Sequence, residues 1–359
     1  MGTKDTGIVH SALGAQMTGL VHPGSRHRKA GFMGLTMQSR GRKLKSIKFL
    51  LYTNNTEAPV EIDVDRSLSA IDTKLDTKVL IHGCHGDPTN YKYIIAAYLA
   101  RGNVNVIAVN WTSLSKNMDY TDSKSDTEVT GTRVAQLLDI LADNGLDLSR
   151  VNCVGHSLGA QTAGVVGDRL TKGVLGLITG LDPAGPLFDY ITPKKNKLDL
   201  KDAAYVQIIH TNLGKLGSVE MAGHSDLMPN GGIKQPNCEG TEEIIGDHVR
   251  VLGLWEETIK GHEPLIGHQC SSWDVYENGK CDTNPEAVMG EKIDQSSTEG
   301  LQTRLKVRPA HPTHRFQWHI MFTWIRSKIP GTILQAARTC ATKSSELIAA
   351  HSTTHFTAQ

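Results

Sequence analysis

The sequence lacks any apolar run near the about 18 residues a membrane-spanning helix needs. Its longer stretches are of the kind Ile94-Ile95-Ala96-Ala97, so no transmembrane segment is expected. Cysteine is scarce, six in 359 residues, which excludes a disulfide-dense miniprotein. Hydrophobic residues make up 39% and 35 glycines stand beside them, enough apolar material to exclude a disordered chain. No internal repeat is found. The first 44 residues also lack the roughly 7–15-residue apolar stretch of a secretory signal.

The net charge of +1 hides an uneven distribution. Residues 1–48 carry nine Lys/Arg against Asp5 alone, and residues 301–359 carry eight against Glu346 alone. The middle, 49–300, has a net charge of −14. An acidic middle argues against a nucleic-acid-binding domain, and no nucleic-acid partner is expected. The basic ends read as solvated tails. The chain thus reads as three segments: a basic N-terminal stretch 1–44, a folded region 45–300, and a basic C-terminal stretch 301–359 in which only Trp318 to Ile329 has a helical texture.

Within 45–300, strand-like runs alternate with helical ones. Ile47–Tyr52, Lys78–Ile81, Val104–Trp111, Val151–Val154, Val174–Leu181 and Ala204–Ile209 read as strands. Tyr91–Ala100, Thr127–Asn144 and Leu158–Leu170 read as helices; the second has Val134, Leu137, Leu138 and Leu141 at helical spacing. Strands and helices in alternation predict an α/β fold with a mainly parallel central sheet covered by helices on both faces.

The sharpest local signal is Gly155-His156-Ser157-Leu158-Gly159. A strand runs into this G-x-S-x-G pentapeptide and a small-residue helix leaves it, the setting a nucleophile elbow requires. Serine at its ordinary pKa is a poor nucleophile and needs a histidine base and an acid to orient it. Asp182 stands at the end of the next strand, before Pro183, where the acid of a Ser…Asp…His order belongs. The histidine is open on spacing alone: His210, His224, His248, His262 and His268 all follow Asp182. Cys84-His85 invites a metal or cysteine-nucleophile reading, but no third ligand lies at a usable spacing.

The Gly155–Gly159 pentapeptide with Ala160 after it, Gly180-Leu181-Asp182-Pro183-Ala184-Gly185-Pro186, Ile209-His210-Thr211 and Pro229-Asn230-Gly231-Gly232 occur in order. Together they resemble the animal pancreatic-lipase-like family of neutral lipases and phospholipases A1, here as a short-lid, insect-type member, over about Lys45 to Ser297. The resemblance implies an α/β-hydrolase fold and a Ser157–Asp182–His248 triad. His248 is chosen because the family's Cys-x-His-x-Arg pattern falls on Gly246-Asp247-His248-Val249-Arg250, without its cysteine. It implies an oxyanion hole from the Leu158 and Cys84 N–H groups, a Cys270–Cys281 disulfide, and secretion, for which no signal peptide is visible. The family also includes inactive yolk-protein relatives, so the rival expectation is a lipid-binding or storage protein on the same fold.

Departures from the family shape further expectations. Cys238 matches one partner of the lid disulfide, but Gly246 stands at the other, with seven residues between them. By resemblance, so short a lid goes with phospholipase A1 preference. Asp199 and Asp202 match calcium-site positions of some relatives, while Lys194 and Lys197 replace an acid and an arginine. No metal and no cofactor are expected. The family's C-terminal β-sandwich is not recognisable in 301–359, so no colipase-like partner is expected. The chain is thus expected to be a serine hydrolase of lipid esters.

Overall fold

The structure, a computed structural model, describes residues 41–305 apart from 56–57, 65–67, 118, 237, 239–242, 262–263 and 296–300. The chain divides into Met1–Arg42 and Lys43–Gln359, and the sheet with its flanking helices belongs to the second unit. The helical texture at Trp318 to Ile329, Cys340, His262 and most of the lid segment lie outside the described residues.

Eleven strands form one sheet: β1 Lys48–Tyr52, β2 Val60–Ile62, β3 Asp76–Ile81, β4 Val104–Asn110, β5 Val151–His156, β6 Leu175–Leu181, β7 Ala203–Ile209, β8 Ser225–Pro229, β9 Leu265–Gln269, β10 Glu286–Met289 and β11 Leu301–Leu305. Their spatial order is β10-β9-β11-β8-β7-β6-β5-β3-β4-β1-β2. The run from β4 through β3, β5, β6, β7 and β8 to β11 is parallel, and the pairs at both edges are antiparallel. The main helices are α1 Lys92–Arg101, α2 Tyr120–Asp143, α3 Leu158–Arg169 and α4 Glu243–Lys260.

Successive residues of a strand face opposite sides, and both sides here are apolar. In β3, Val79 and Ile81 join the core that contains Leu137, Leu138, Ala163 and Val166 of α2 and α3. Leu80 between them joins the core of Ile94, Tyr98, Leu254 and Trp255 of α1 and α4. Ile107 and Val109 of β4 repeat the first assignment, Val106 and Ala108 the second. The sheet is therefore covered by helices on both faces, as expected.

Small residues set how closely α3 docks. A Cβ at Gly131 of α2 would lie 2.7 Å from Val165 of α3, and one at Gly164 would lie 2.4 Å from the Leu198 backbone. Sheet, flanking helices and a sharp strand-to-helix turn bearing a serine make this an α/β-hydrolase fold.

Some boundaries differ from the sequence reading, for physical reasons. Helix α2 starts at Tyr120, seven residues before its apolar period becomes visible. Its first turns, Thr121 to Asp126, are polar, but Asp119 caps them by accepting from the Thr121 N–H. Ser123 is buried there with its hydroxyl on the Leu114 and Ser115 carbonyls. The strand read as Val151–Val154 continues through His156, so Ser157 is the first residue off the sheet. Strands β2, β8, β9, β10 and β11 are not anticipated; they are short, three to five residues each. Strand β11 carries the sheet past residue 300.

Candidate active site

The nucleophile elbow is a steric consequence of its glycines. A Cβ on Gly155 would sit 2.2 Å from the Gly159 carbonyl oxygen, and one on Gly159 would sit 1.9 Å from the Ile81 oxygen. With both absent, the chain turns from β5 straight into α3. The turn forces Ser157 to φ 57° and ψ −121°, outside the usual regions for a residue with a side chain. A strained serine at a strand end is an outlier of the kind that clusters at active sites. Its backbone remains tied to the sheet: the Ser157 N–H donates to the Leu181 carbonyl at 3.1 Å, and its own carbonyl accepts from Ala184 at 3.2 Å.

Asp182 is the first residue beyond β6, also at positive φ (43°), and is fully buried. Its N–H donates to Ile209 at 2.8 Å, extending the β6–β7 ladder by one residue. One carboxylate oxygen, Oδ1, accepts from the Thr211 and Asn212 backbone N–H groups at 2.8 and 3.0 Å. The other, Oδ2, lies 2.6 Å from His248 Nδ1. Because a carboxylate only accepts, this contact puts the imidazole proton on Nδ1 and leaves Nε2 with its lone pair. His248 lies in the second turn of α4, with 7% of its surface exposed, as is 7% of Ser157.

The other candidate histidines are engaged elsewhere. His210 is fully buried with Nε2 2.8 Å from Asp226 Oδ1. His224 Nδ1 accepts from the Val206 N–H at 2.9 Å, and its ring stacks on Tyr205. His268 lies on β9, near the Asn284 carbonyl. Of the described candidates, only His248 reaches Asp182.

Two further histidines line the site without having been assigned a role from the sequence. His156 donates from Nε2 to the His248 carbonyl at 3.0 Å, and the two rings lie 4.7 Å apart. Burial, reinforced by His248, pushes its pKa down to about 3, so it is a neutral donor at working pH. His82 is buried, with its pKa lowered to about 4 mainly by burial, and its ring stacks on Trp111. The Trp111 indole N–H donates to the His82 carbonyl at 3.0 Å and anchors the turn beyond it. In that turn Gly83 rests on the nucleophile: a Cβ there would be 2.8 Å from Ser157 Cβ. Cys84, the next residue, is half-buried. Leu158 opens α3, so its N–H belongs to the first turn and has no intrahelical acceptor.

Cys270 and Cys281 form a disulfide. Cys153 and Cys238 are buried thiols, and burial pushes Cys238 up to about 11. Asp199 and Asp202 are buried together, with the Asp199 N–H on Asp202 Oδ2 at 2.7 Å and the Lys194 ammonium 2.6 Å from Asp199. Lys197 pairs with Glu220. Each lysine that departs from the family pattern therefore places its ammonium on a neighbouring carboxylate. Among the described residues, no group of three His, Cys, Asp or Glu could hold a metal ion.

A family profile described as Lipase matches residues 19–308, which takes in every described element. The chain belongs to the pancreatic-lipase-like family. Its relatives include phospholipase A1 member A of Rattus norvegicus, 35% identical over 253 residues, a match covering 67% of this chain and 55% of that protein. The pancreatic triacylglycerol lipase of Cavia porcellus is 35% identical over 329 residues, 80% of this chain and 69% of that one. Lipase member H of Rattus norvegicus is 31% identical over 246 residues, 66% of this chain. This lipase-family chain spans about half the length of that protein, 54%. No helix among the described residues is long and apolar enough to cross a membrane.

Proposed function

We propose that the chain hydrolyses carboxylic esters of lipids, with Ser157 as nucleophile, His248 as general base and Asp182 as the group that orients it. The observation that carries this reading is the 2.6 Å contact between the buried Asp182 and His248 Nδ1, across the strand end from the strained Ser157. In the reaction, Ser157 Oγ attacks the acyl carbonyl while its proton passes to His248 Nε2. The resulting imidazolium is stabilised by Asp182. The Leu158 and Cys84 N–H groups hold the oxyanion. Collapse of the tetrahedral intermediate expels the alcohol, which takes the proton from His248. Water, deprotonated by the same imidazole, then releases the fatty acid.

Relatives named as phospholipase A1 and triacylglycerol lipase support glycerolipid esters as the substrate class. With only seven residues between Cys238 and Gly246, a lid has little apolar surface to hide. We infer a preference for phospholipid or soluble short-chain ester over emulsified triglyceride. Triolein hydrolysis well above that of phosphatidylcholine would refute it. The Cys270–Cys281 disulfide supports an oxidising, extracellular setting.

Labelling by a fluorophosphonate ester tests the central claim. The wild type is expected to label, Ser157→Ala not at all, and His248→Ala only slowly. A folded wild-type protein that does not label would overturn it in favour of lipid binding without catalysis.

A further inference from the structure

Two loops leave the strand ends beside Ser157 and lock together. The Gly185 N–H donates to the Leu216 carbonyl at 2.9 Å, and the Ser218 N–H donates to Pro183 at 2.7 Å. Further out, Asp189 accepts from the Ser218 hydroxyl and from the Val219 N–H. Glu220 accepts from the Tyr190 N–H at 2.6 Å and from the Lys197 ammonium, which also reaches the Phe188 carbonyl. The acids of this pair of loops are thus turned inward and bound.

What they leave outside is of a different kind. Tyr190 is 83% exposed and Ile191 57%, with Val219 and Met221 exposed on the facing loop. The exposed Lys194 and Lys195 come within four residues of Ile191. Leu187 and Tyr190 are both held at positive φ, 63° and 61°, a conformation that costs energy in a residue with a side chain. At Tyr190 the inward hydrogen bond to Glu220 holds that backbone while the ring points to solvent. Strain retained around a solvent-facing aromatic residue points to a use outside the fold.

We propose that loops 187–192 and 217–222 form a docking surface for a lipid interface bearing anionic headgroups. Tyrosine and aliphatic side chains beside lysine, with carboxylates withdrawn, are the composition of a membrane-interface contact. The ring sits at headgroup depth, the aliphatic groups enter the acyl boundary, and lysine meets the anionic surface. The ties from Ala184 to Ser157 and from Gly185 to Leu216 hold the surface beside the nucleophile, so a docked lipid would lie next to the catalytic serine. The choice of a lipid as partner rests on the esterase reading, and the test keeps the two apart.

The experiment is co-sedimentation of the full chain with vesicles of diether phosphatidylcholine, alone or with about 30 mol% diether phosphatidylglycerol. Diether lipids hold no ester, so binding is read independently of hydrolysis, and serine labelling reports the catalytic reading separately. The wild type is expected to bind the anionic vesicles more tightly. The combined Tyr190→Ser, Ile191→Ser and Met221→Ser variant is expected to lose about tenfold in affinity. Lys195→Glu is expected to lose about fivefold on anionic vesicles and nothing on zwitterionic ones. Wild-type binding by the triple variant at an unchanged Tm would overturn the proposal and transfer the contact to the basic ends of the chain. Equal wild-type affinity for both vesicles would overturn the anionic preference. Should the triple variant fail to fold, hydrogen exchange of the wild type decides: vesicles are expected to protect residues 187–192, and unchanged exchange there would overturn the proposal.

Discussion

Replacing Asp182 by asparagine isolates the role of its two oxygens. Oδ1 accepts from Thr211 and Asn212 at 2.8 and 3.0 Å, and both donors are backbone groups that cannot turn away. The asparagine oxygen must take that place, which leaves its NH2 facing His248 Nδ1, now 2.6 Å from the Asp182 oxygen. Two N–H donors cannot share that contact, so the imidazole gives up its Nδ1 proton and carries one on Nε2 instead. The nitrogen facing the nucleophile is then a donor, and Ser157 loses its base. The expected loss is about 10³–10⁴ in kcat, roughly 4–5.5 kcal/mol of transition-state stabilisation. Both backbone bonds to the side chain survive, so Tm should change by only a few degrees. The assay is steady-state hydrolysis of a soluble short-chain p-nitrophenyl ester, with the rate of fluorophosphonate labelling as a second readout. Activity within about tenfold of wild type at an unchanged Tm would refute the reasoning.

The fold that holds this site can be tested at three other points. Asp202 is buried, and burial raises its pKa to about 8. A carboxyl with a raised folded-state pKa keeps its proton longer folded than unfolded, so it costs least near pH 4 and progressively more as pH rises toward 8. Asp202→Asn keeps an acceptor for the Asp199 N–H and should add roughly 1–3 kcal/mol at pH 8.5, and little at pH 4.5, in paired thermal melts; an equal gain at both would contradict the assignment. Gly159→Ala drives a Cβ into the Ile81 carbonyl oxygen at 1.9 Å and should cost about 3 kcal/mol or more, roughly 10 °C in Tm. Unchanged melting would mean the elbow has room the geometry denies. Millimolar calcium should leave Tm where it is, since the Lys194 ammonium already meets the Asp199 carboxylate at 2.6 Å; an appreciable rise would show the lysine displaced.

How much of this was readable in the sequence depends on how local each feature is. The elbow is encoded within five residues, because its strain and its glycines are contiguous, and Asp182 is marked by the strand before it and the proline after it. The histidine is not local. His248 meets Asp182 across 66 residues, by way of the docking of α4, and spacing could not separate it from four other histidines. The family pattern chose it. His156 shows the same limit: it stands inside the motif, but its partner carbonyl is 92 residues away. Strands β8 to β11 escaped notice because they are four or five residues long and have no periodicity strong enough to compete with turns. The polar opening of α2 escaped for the related reason that its buried serine and aspartate are satisfied by neighbours distant from the local pattern.

The local and the distant features meet in the sheet ladder. The Ser157 N–H bonds Leu181 at the end of β6, the Asp182 N–H bonds Ile209 at the end of β7, and the His210 N–H bonds Leu227 in β8. Each bond is the next rung of a parallel pair, made by the first residue to leave its strand. Ser157 and Asp182 sit at positive φ where the strands hand over to loops, and those rungs hold them there against the strain. The third rung fixes His210 at the head of the turn whose next two N–H groups grip the Asp182 carboxylate. Register in the buried sheet, which is set by the apolar alternation of β5, β6 and β7, is therefore also what sets the separation of nucleophile and acid. A register slip of one residue would turn every core side chain to the wrong face, so the fold cannot lose the geometry of the site without losing its core.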